Sequence, residues 1–245
     1  MTAKELYRAG QLTAAIQALS GELRDNPTDT QRRTFLFELL CFAGEYDRAQ
    51  KQLDILAAAG PDAATGALLY RAAMHADRMR ADLFARREYP ELRSNDAPVR
   101  GTCNGQPFES IEDADPRIGA RLEIYAAGQC MWLPLAHIAV LEIEPPKRLR
   151  DLLWAPALLR TGPAFKGTEL GEVLIPVLCP QSFQHKDDAV RLGRSTVWEQ
   201  QENGDEIPFG QKMLLVDGAE VPILEVRRLE IAAVNAAPQH HASAH

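Results

Sequence analysis

Three carboxylates, Glu112, Asp113 and Asp115, lie within four residues of one another, ahead of an apolar stretch. Such a cluster can hold a cation or supply a general acid/base pair. It lacks the Gly and the further oxygen ligands of a calcium loop, and turn capping with internal ion pairs explains it equally, because Asp commonly bonds nearby backbone in turns. A second cluster, Arg191, Arg194 and Trp198 in RLGRSTVWEQ, has the residue types of a binding hot spot. The same arginines could instead clamp the acidic cluster inside the fold, since a buried Arg needs such a partner. His75, His137 and His185 have no carboxylate–nucleophile companion close in sequence, although triad partners can be distant. The four cysteines, Cys41, Cys103, Cys130 and Cys179, form no CxxC pair. That argues against a zinc site or a disulfide framework and for small buried hydrophobes. The GxSxG, HExxH, GxxxxGK[ST] and GxGxxG patterns are absent, and with them the common signatures of acyl transfer, zinc hydrolysis and phosphate binding. The expectation is a chain with no catalytic residue, no metal ligand and no cofactor.

Charge and hydropathy narrow the class further. Residues 1–90 are neutral, so the whole net charge of −7 falls on residues 91–245. An acidic second half argues against nucleic acid, whose binding needs a dense basic face. No segment approaches the roughly 20 apolar residues of a membrane span. The opening MTAKELYRAG lacks the apolar core of a signal peptide. The expected location is the cytoplasm, without membrane insertion.

The elements that must carry these residues begin with a repeat. Leu6 and Leu40, Gly10 and Gly44, Ala15 and Ala49, Leu19 and Leu53, and Pro27 and Pro61 all stand 34 residues apart, the tetratricopeptide period. The Gly ends the first helix of each pair, the Ala sits where two helices cross closely, and the Pro stops the second helix. The Trp and first-helix Gly of the usual repeat are missing, and the first repeat lacks half of its opening helix. A lone capping helix is expected at about residues 65–87, with Leu68, Leu69, Ala72, Met74, Met79 and Leu83 as its apolar positions.

Beyond EYPELRSNDAPVRGTCNG the pattern changes to short strands. They are expected at 122–126, 129–133, 138–144, 172–178 and 195–200. A hairpin over 213–231 turns at Asp217-Gly218. A helix is expected from Pro146 through PKRLRDLLWAPALL. The fold class is therefore α+β multidomain: a tetratricopeptide-like helical domain (1–90), a linker (91–104), a strand-rich domain (105–232) forming a small barrel or curled antiparallel sheet with appended helices, and a disordered tail (233–245).

An ordered motif series runs through the second half: Asp113-Ala114-Asp115, Leu122-Glu123, Trp132 with Pro134, Asp151 and Trp154 within Arg150–Trp154, Pro156, Glu172-Val173, Pro176-Val177, Arg191-Leu192-Gly193-Arg194 with Thr196 and Trp198, and Gly210-Gln211. In these residues, and in FELLCFAGEYDRAQKQLDIL, the chain resembles the ImpE/TagJ family, or SciE type, of bacterial type VI secretion accessory proteins. The resemblance covers about residues 1–232. It implies a non-catalytic adaptor that binds a helix of the small (TssB-type) sheath subunit, with the ClpV-type disassembly ATPase as a further partner. Asp113, Asp115, Trp132, Asp151, Trp154, Arg191, Arg194 and Trp198 would then be structural signature residues. By position in the repeat, Tyr7, Thr34, Glu38, Cys41, Leu68 and His75 are expected to line the partner-binding concave face. The alternatives are a self-associating scaffold, or an enzyme acting through the Asp113/Asp115 and Arg191/Arg194 region.

Overall fold

A computed structural model describes residues 1–89, 99–167, 169–201, 204 and 206–232. Five helices open the chain: α1 (Ala3–Arg8), α2 (Leu12–Asp25), α3 (Thr30–Phe42), α4 (Tyr46–Ala57) and α5 (Pro61–Ala85). Their boundaries follow from local chemistry. Thr2 and Glu5 form a capping box on α1, the Asp29 carboxylate accepts from the Arg32 N–H at the start of α3, and Pro61 opens α5 at its first turn.

The residues spaced by 34 share their geometry. Gly10 and Gly44 both adopt left-handed φ, +78° and +70°. Gln11 N–H donates to the Leu6 carbonyl, as Glu45 N–H does to that of Leu40. Ala15 and Ala49 are fully buried at the helix crossings. Pro27 departs from the pattern, since it precedes α3 by three residues while Pro61 starts α5. The face of α5 also differs from expectation: Leu68 and Leu69 are 62% and 53% exposed, and Ala67, Ala73, Met74, Ala76, Arg80 and Phe84 turn inward.

The rest of the chain is mostly strand: β1 (Gly101–Cys103), β2 (Gln106–Phe108), β3 (Ile111–Asp113), β4 (Arg121–Ala126), β5 (Gln129–Pro134), β6 (Ile138–Ile143), β7 (Trp154–Thr161) and β8 (Gly171–Pro176). After a one-turn helix α6 (Asp188–Arg191) come β9 (Val197–Gln200), β10 (Glu206–Phe209), β11 (Met213–Val216), β12 (Ala219–Pro222) and β13 (Arg228–Ile231). Eight strands form one antiparallel sheet in the order β2-β1-β13-β6-β7-β8-β4-β5. Among the described residues its edges are β2 and β5, so it is an open sheet. Two smaller sheets, β12-β11-β3 and β10-β9, flank it. Asp217 and Gly218 supply the two positive φ angles of the β11–β12 turn, as the sequence predicts.

The helix expected from Pro146 is absent. One 3-10 turn, Leu149–Leu152, leads into β7. Pro156 has no N–H to give a helix interior. Burial along β7 alternates instead, with Ala155, Ala157 and Leu159 inside and Pro156, Leu158 and Arg160 outside, the period-2 signature of a strand. The sheet also starts earlier than expected: β1 lies within the anticipated linker 91–104, held there by pairing with β13. Residue 90, residues 91–98 of that linker and the anticipated tail 233–245 lie outside the described residues.

The two halves share a core. Tyr125, Leu153, Trp154, Leu178 and Leu192 pack among the buried side chains of the helices. A second cluster, built on Leu122, Ile124, Leu141, Leu159, Ile175, Leu214 and Leu229, fills the opposite face of the sheet. The large sheet thus carries the helical half on one end of its outer face.

Candidate functional site

The seam between the halves is built on buried charge. Asp77 and Arg80 lie three residues apart on the inward stripe of α5, which places them on one face. Arg80 grips Glu123 of β4 through two bonds, Nε to Oε1 at 3.0 Å and Nη2 to Oε2 at 2.5 Å, and its Nη1 donates to the Leu178 carbonyl at 3.0 Å. Lys212 Nζ bridges Glu123 at 2.9 Å and Asp113 at 2.5 Å. Trp132 Nε1 donates to Glu123 at 2.9 Å. Lys212 and Glu123 are fully buried, and Asp113 and Arg80 nearly so. Asp77 accepts from the Trp154 indole at 2.9 Å and from the Tyr125 hydroxyl.

The charge states follow from this wiring. Burial alone would raise the Glu123 carboxyl, but Arg80 and Lys212 overcome it and pull it down to about 2. Asp113 is pushed up to about 6, by burial first and by its acidic neighbours, with Lys212 opposing. Burial raises Asp77 as well. These carboxylates are already engaged with fixed partners, and the neighbouring cavity, lined by Cys41, Tyr46, Asp77, Arg80 and Cys179, holds only about 30 Å³, about one water molecule. Burial holds the Cys41 thiol far above its usual range and Cys179 at about 12, so neither is a thiolate nucleophile. Among the described residues no group of three or more His, Cys, Asp or Glu side chains is placed to hold a metal ion.

A second set of polar contacts ties α6 to the first helices. The Asp188 carboxylate accepts from the Thr13 N–H at 2.9 Å, capping α2 from a distance in sequence. Arg191 donates to Asp188 at 2.7 Å and to the Thr13 hydroxyl at 3.1 Å. Arg194 donates to the Tyr7 and Arg8 carbonyls at 2.6 and 2.9 Å and lies over the Tyr7 ring. The arginines therefore do not clamp the acidic cluster, as one sequence reading had it. Asp113 pairs with Lys212, and Asp115 with Arg117.

The expected partner face is divided. Glu38 and Cys41 are corrected: they are 7% and 2% exposed, covered by the chain's own sheet half. Arg150 sits 3.9 Å from Glu38 and over the Tyr70 ring, and Leu153 lines the small cavity with Cys41. Burial pushes the Glu38 carboxyl up to about 7, and Arg150 offsets only part of that. Thr34 turns its hydroxyl to the Thr30 carbonyl of its own helix. Leu68 and His75 are exposed on α5 and lie outside the residues that line the groove at Tyr7. That groove, of about 870 Å³, runs between α1, α3 and the segment Pro146–Leu152. Tyr7 and Phe35 meet edge to face on its floor, with Leu19, Leu149 and Leu152 beside them.

The ImpE protein family matches residues 105–230. The type VI secretion system accessory component TagJ of Pseudomonas aeruginosa is 31% identical, over 96% of this chain and 93% of that protein. The chain belongs to the ImpE family. The crystal structure of protein VPA1032 from Vibrio parahaemolyticus has the same fold, with a TM-score of 0.81 and 24% identity over 94% of this chain and 97% of that one.

Within this ImpE chain the motif residues sit mainly at joints. Asp113 and Trp132 hold the Lys212–Glu123 network, Trp154 holds Asp77, and Arg191 and Arg194 hold α1 and α2. The Asp151 carboxylate accepts from the Lys147 and Arg148 N–H groups and shapes the turn before β7. Trp198 differs, standing 37% exposed on β9. Arg80, Asp77 and Lys212 escaped the sequence reading. The available signal was Asp77 and Arg80 falling on the same α5 stripe as Ala73, Ala76 and Phe84, polar residues in an apolar register. Lys212, one residue before β11, gave none.

Proposed function

We propose that this ImpE-family chain is a non-catalytic accessory adaptor of the type VI secretion system. In this reading the helical half works as a tetratricopeptide-like module that receives a helix of the small (TssB-type) sheath subunit, and the whole chain connects the sheath to the ClpV-type disassembly ATPase. The observation that carries it is the groove at Tyr7 and Phe35: open, apolar at its floor, and formed by the first helices together with the segment Pro146–Leu152. Its form suits an amphipathic helix laid into a hydrophobic groove. The name of the Pseudomonas aeruginosa relative supports the system, and the pairing of the buried carboxylates and the burial-raised pKa of the buried thiols support the lack of catalysis.

Calorimetric titration of the full chain with the cognate small sheath subunit tests it. Saturable binding that is lost on changing Tyr7→Ala together with Phe35→Ala, in a protein with unchanged circular dichroism, supports the assignment. Binding untouched by those changes removes the groove from the reading, and absence of binding to the intact subunit removes the sheath.

A further inference from the structure

The chain is acidic overall, with a net charge of −7, yet the groove at Tyr7 carries the opposite sign. Five cations line it, Lys4, Arg8, Arg32, Lys147 and Arg148, against two carboxylates, Glu22 and Asp29. Both carboxylates are already committed. Glu22 accepts from the Ala3 N–H and from Arg32 Nε at 3.0 Å, and Asp29 from the Arg32 N–H and Arg32 Nη1 at 2.5 Å. Arg32 is neutralised by the same contacts. Among the described residues no carboxylate lies within ion-pair distance of Lys4, Arg8 or Arg148, although Arg148 also faces Tyr70 and acts on the Glu38 carboxyl, and Lys147 pairs only with the exposed Glu144 outside the groove. A second large cavity, of about 830 Å³ between α5 and the sheet, has no positive excess: three glutamates stand against two arginines, and Glu142 is paired with Arg228 on the adjacent strand. A smaller cavity on α4 and α5 also has more cations than carboxylates, but its Arg71 and Arg78 are paired with Asp54 and Asp47, so the groove at Tyr7 gathers more cations without a carboxylate.

We infer that the groove at Tyr7 is selective for an acidic amphipathic helix. Apolar side chains of the helix rest on Tyr7, Phe35 and Leu152, and its carboxylates face Lys4, Arg8, Lys147 and Arg148 on the rim. This deepens the adaptor reading by giving the partner segment a charge, and it rests on that reading for the identity of the partner. Rim charges of this kind act chiefly on encounter rate and on the choice between partners, because like charges are repelled before docking. They are screened by salt, since the Debye length is about 8 Å at physiological ionic strength.

The test uses the full chain and two synthetic helices with one apolar face and opposite flanks, Glu-rich and Lys-rich, alongside the intact small sheath subunit. The Glu-rich helix is expected to bind and the Lys-rich one not. Combined Arg8→Glu, Lys147→Glu and Arg148→Glu changes, all at exposed positions, should weaken the Glu-rich helix by about tenfold or more, the sum expected of three exposed ion pairs. Lys166→Glu, an exposed lysine outside the groove, should leave binding unchanged. Equal binding of both helices, or indifference to the triple reversal, overturns the inference. If the sheath subunit still binds in that case, the adaptor reading survives alone. If the Glu-rich helix binds and the sheath subunit does not, the charge selectivity stands and the sheath assignment falls. Vesicles of anionic lipid serve as a further probe, and binding them with the same dependence on the triple reversal would overturn helix selectivity in favour of general anion attraction.

Discussion

The seam and the groove use the same residue types to opposite ends. At the seam, Arg80, Lys212, Glu123 and Asp113 are buried, paired and geometrically closed. In the groove, Lys4, Arg8, Lys147 and Arg148 are exposed, and three of the four have no described carboxylate partner. A buried ion network costs desolvation and is retained only when every member is satisfied, so loss of one member leaves an uncompensated charge. An exposed cation costs almost nothing to the fold and remains available to a partner. The family's motif residues fall mostly on the seam side of this division, where they hold two halves in one geometry. The recognition chemistry proposed for this chain falls on the other side.

The sharpest way to break the comparison is Lys212→Met. It strands Asp113 without a cation and leaves Glu123 with Arg80 alone, and should cost about 3–5 kcal/mol in urea unfolding. A loss under 1 kcal/mol would mean that the seam is not held by charge. Next comes Gly44→Ala. The new Cβ would lie 2.4 Å from the Phe183 ring at a φ of +70°, and about 2–3 kcal/mol should be lost. Gly10, 34 residues earlier, meets only Arg194 Nη1 at 3.6 Å, so Gly10→Ala should cost less. Equal costs would deny that the second hairpin, rather than the first, abuts Phe183 of the sheet half.

A pH experiment probes the seam from another side. Glu38 titrates near 7 in the fold against 4.5 for an ordinary Glu. The folded state therefore holds a proton that the unfolded state has released, so this group's contribution to stability falls as pH rises from about 4.5 to about 7. Glu38→Gln should flatten that slope and raise stability at pH 8 by about 1–2 kcal/mol. Glu123 works in the opposite sense, since its lowered carboxyl loses its contribution as pH drops from 4.5 towards about 2. An unchanged slope in Glu38→Gln would mean that Glu38 meets water. The smallest expected effect is that of the triple reversal at Arg8, Lys147 and Arg148, which should shift unfolding by no more than about 0.5 kcal/mol while weakening helix binding. A large loss of stability there would erase the distinction between seam and groove.

Much of the helical half was legible. Gly10 and Gly44, Ala15 and Ala49 act locally, through φ and through close helix crossing, and a 34-residue offset exposes both. The Asp217-Gly218 turn is equally local. The Leu149–Leu159 stretch misled because its leucines fit a helical period, while Pro156 and the neighbouring strands β6 and β8 made it a strand. Tyr7 lines a groove that contains none of the other five residues expected beside it. Glu38 and Cys41 were not legible as buried, because their covering, Arg150 and Leu153, comes from more than 100 residues further along the chain.

What the sequence determined by itself is whatever rests on local geometry and ordered motifs: the helix-ending glycines and close-packed alanines 34 residues apart, the strand-rich second half, the tight turns and membership of the ImpE family. Only the tertiary structure decided which charges meet. Arg80 finds Glu123 across 43 residues, Lys212 finds Asp113 across 99, and Arg194 finds Tyr7 across 187. A side chain's charge is written in the sequence. Its dielectric surroundings and its partner depend on how distant elements pack, and those decide whether the charge fastens the fold or waits for a ligand.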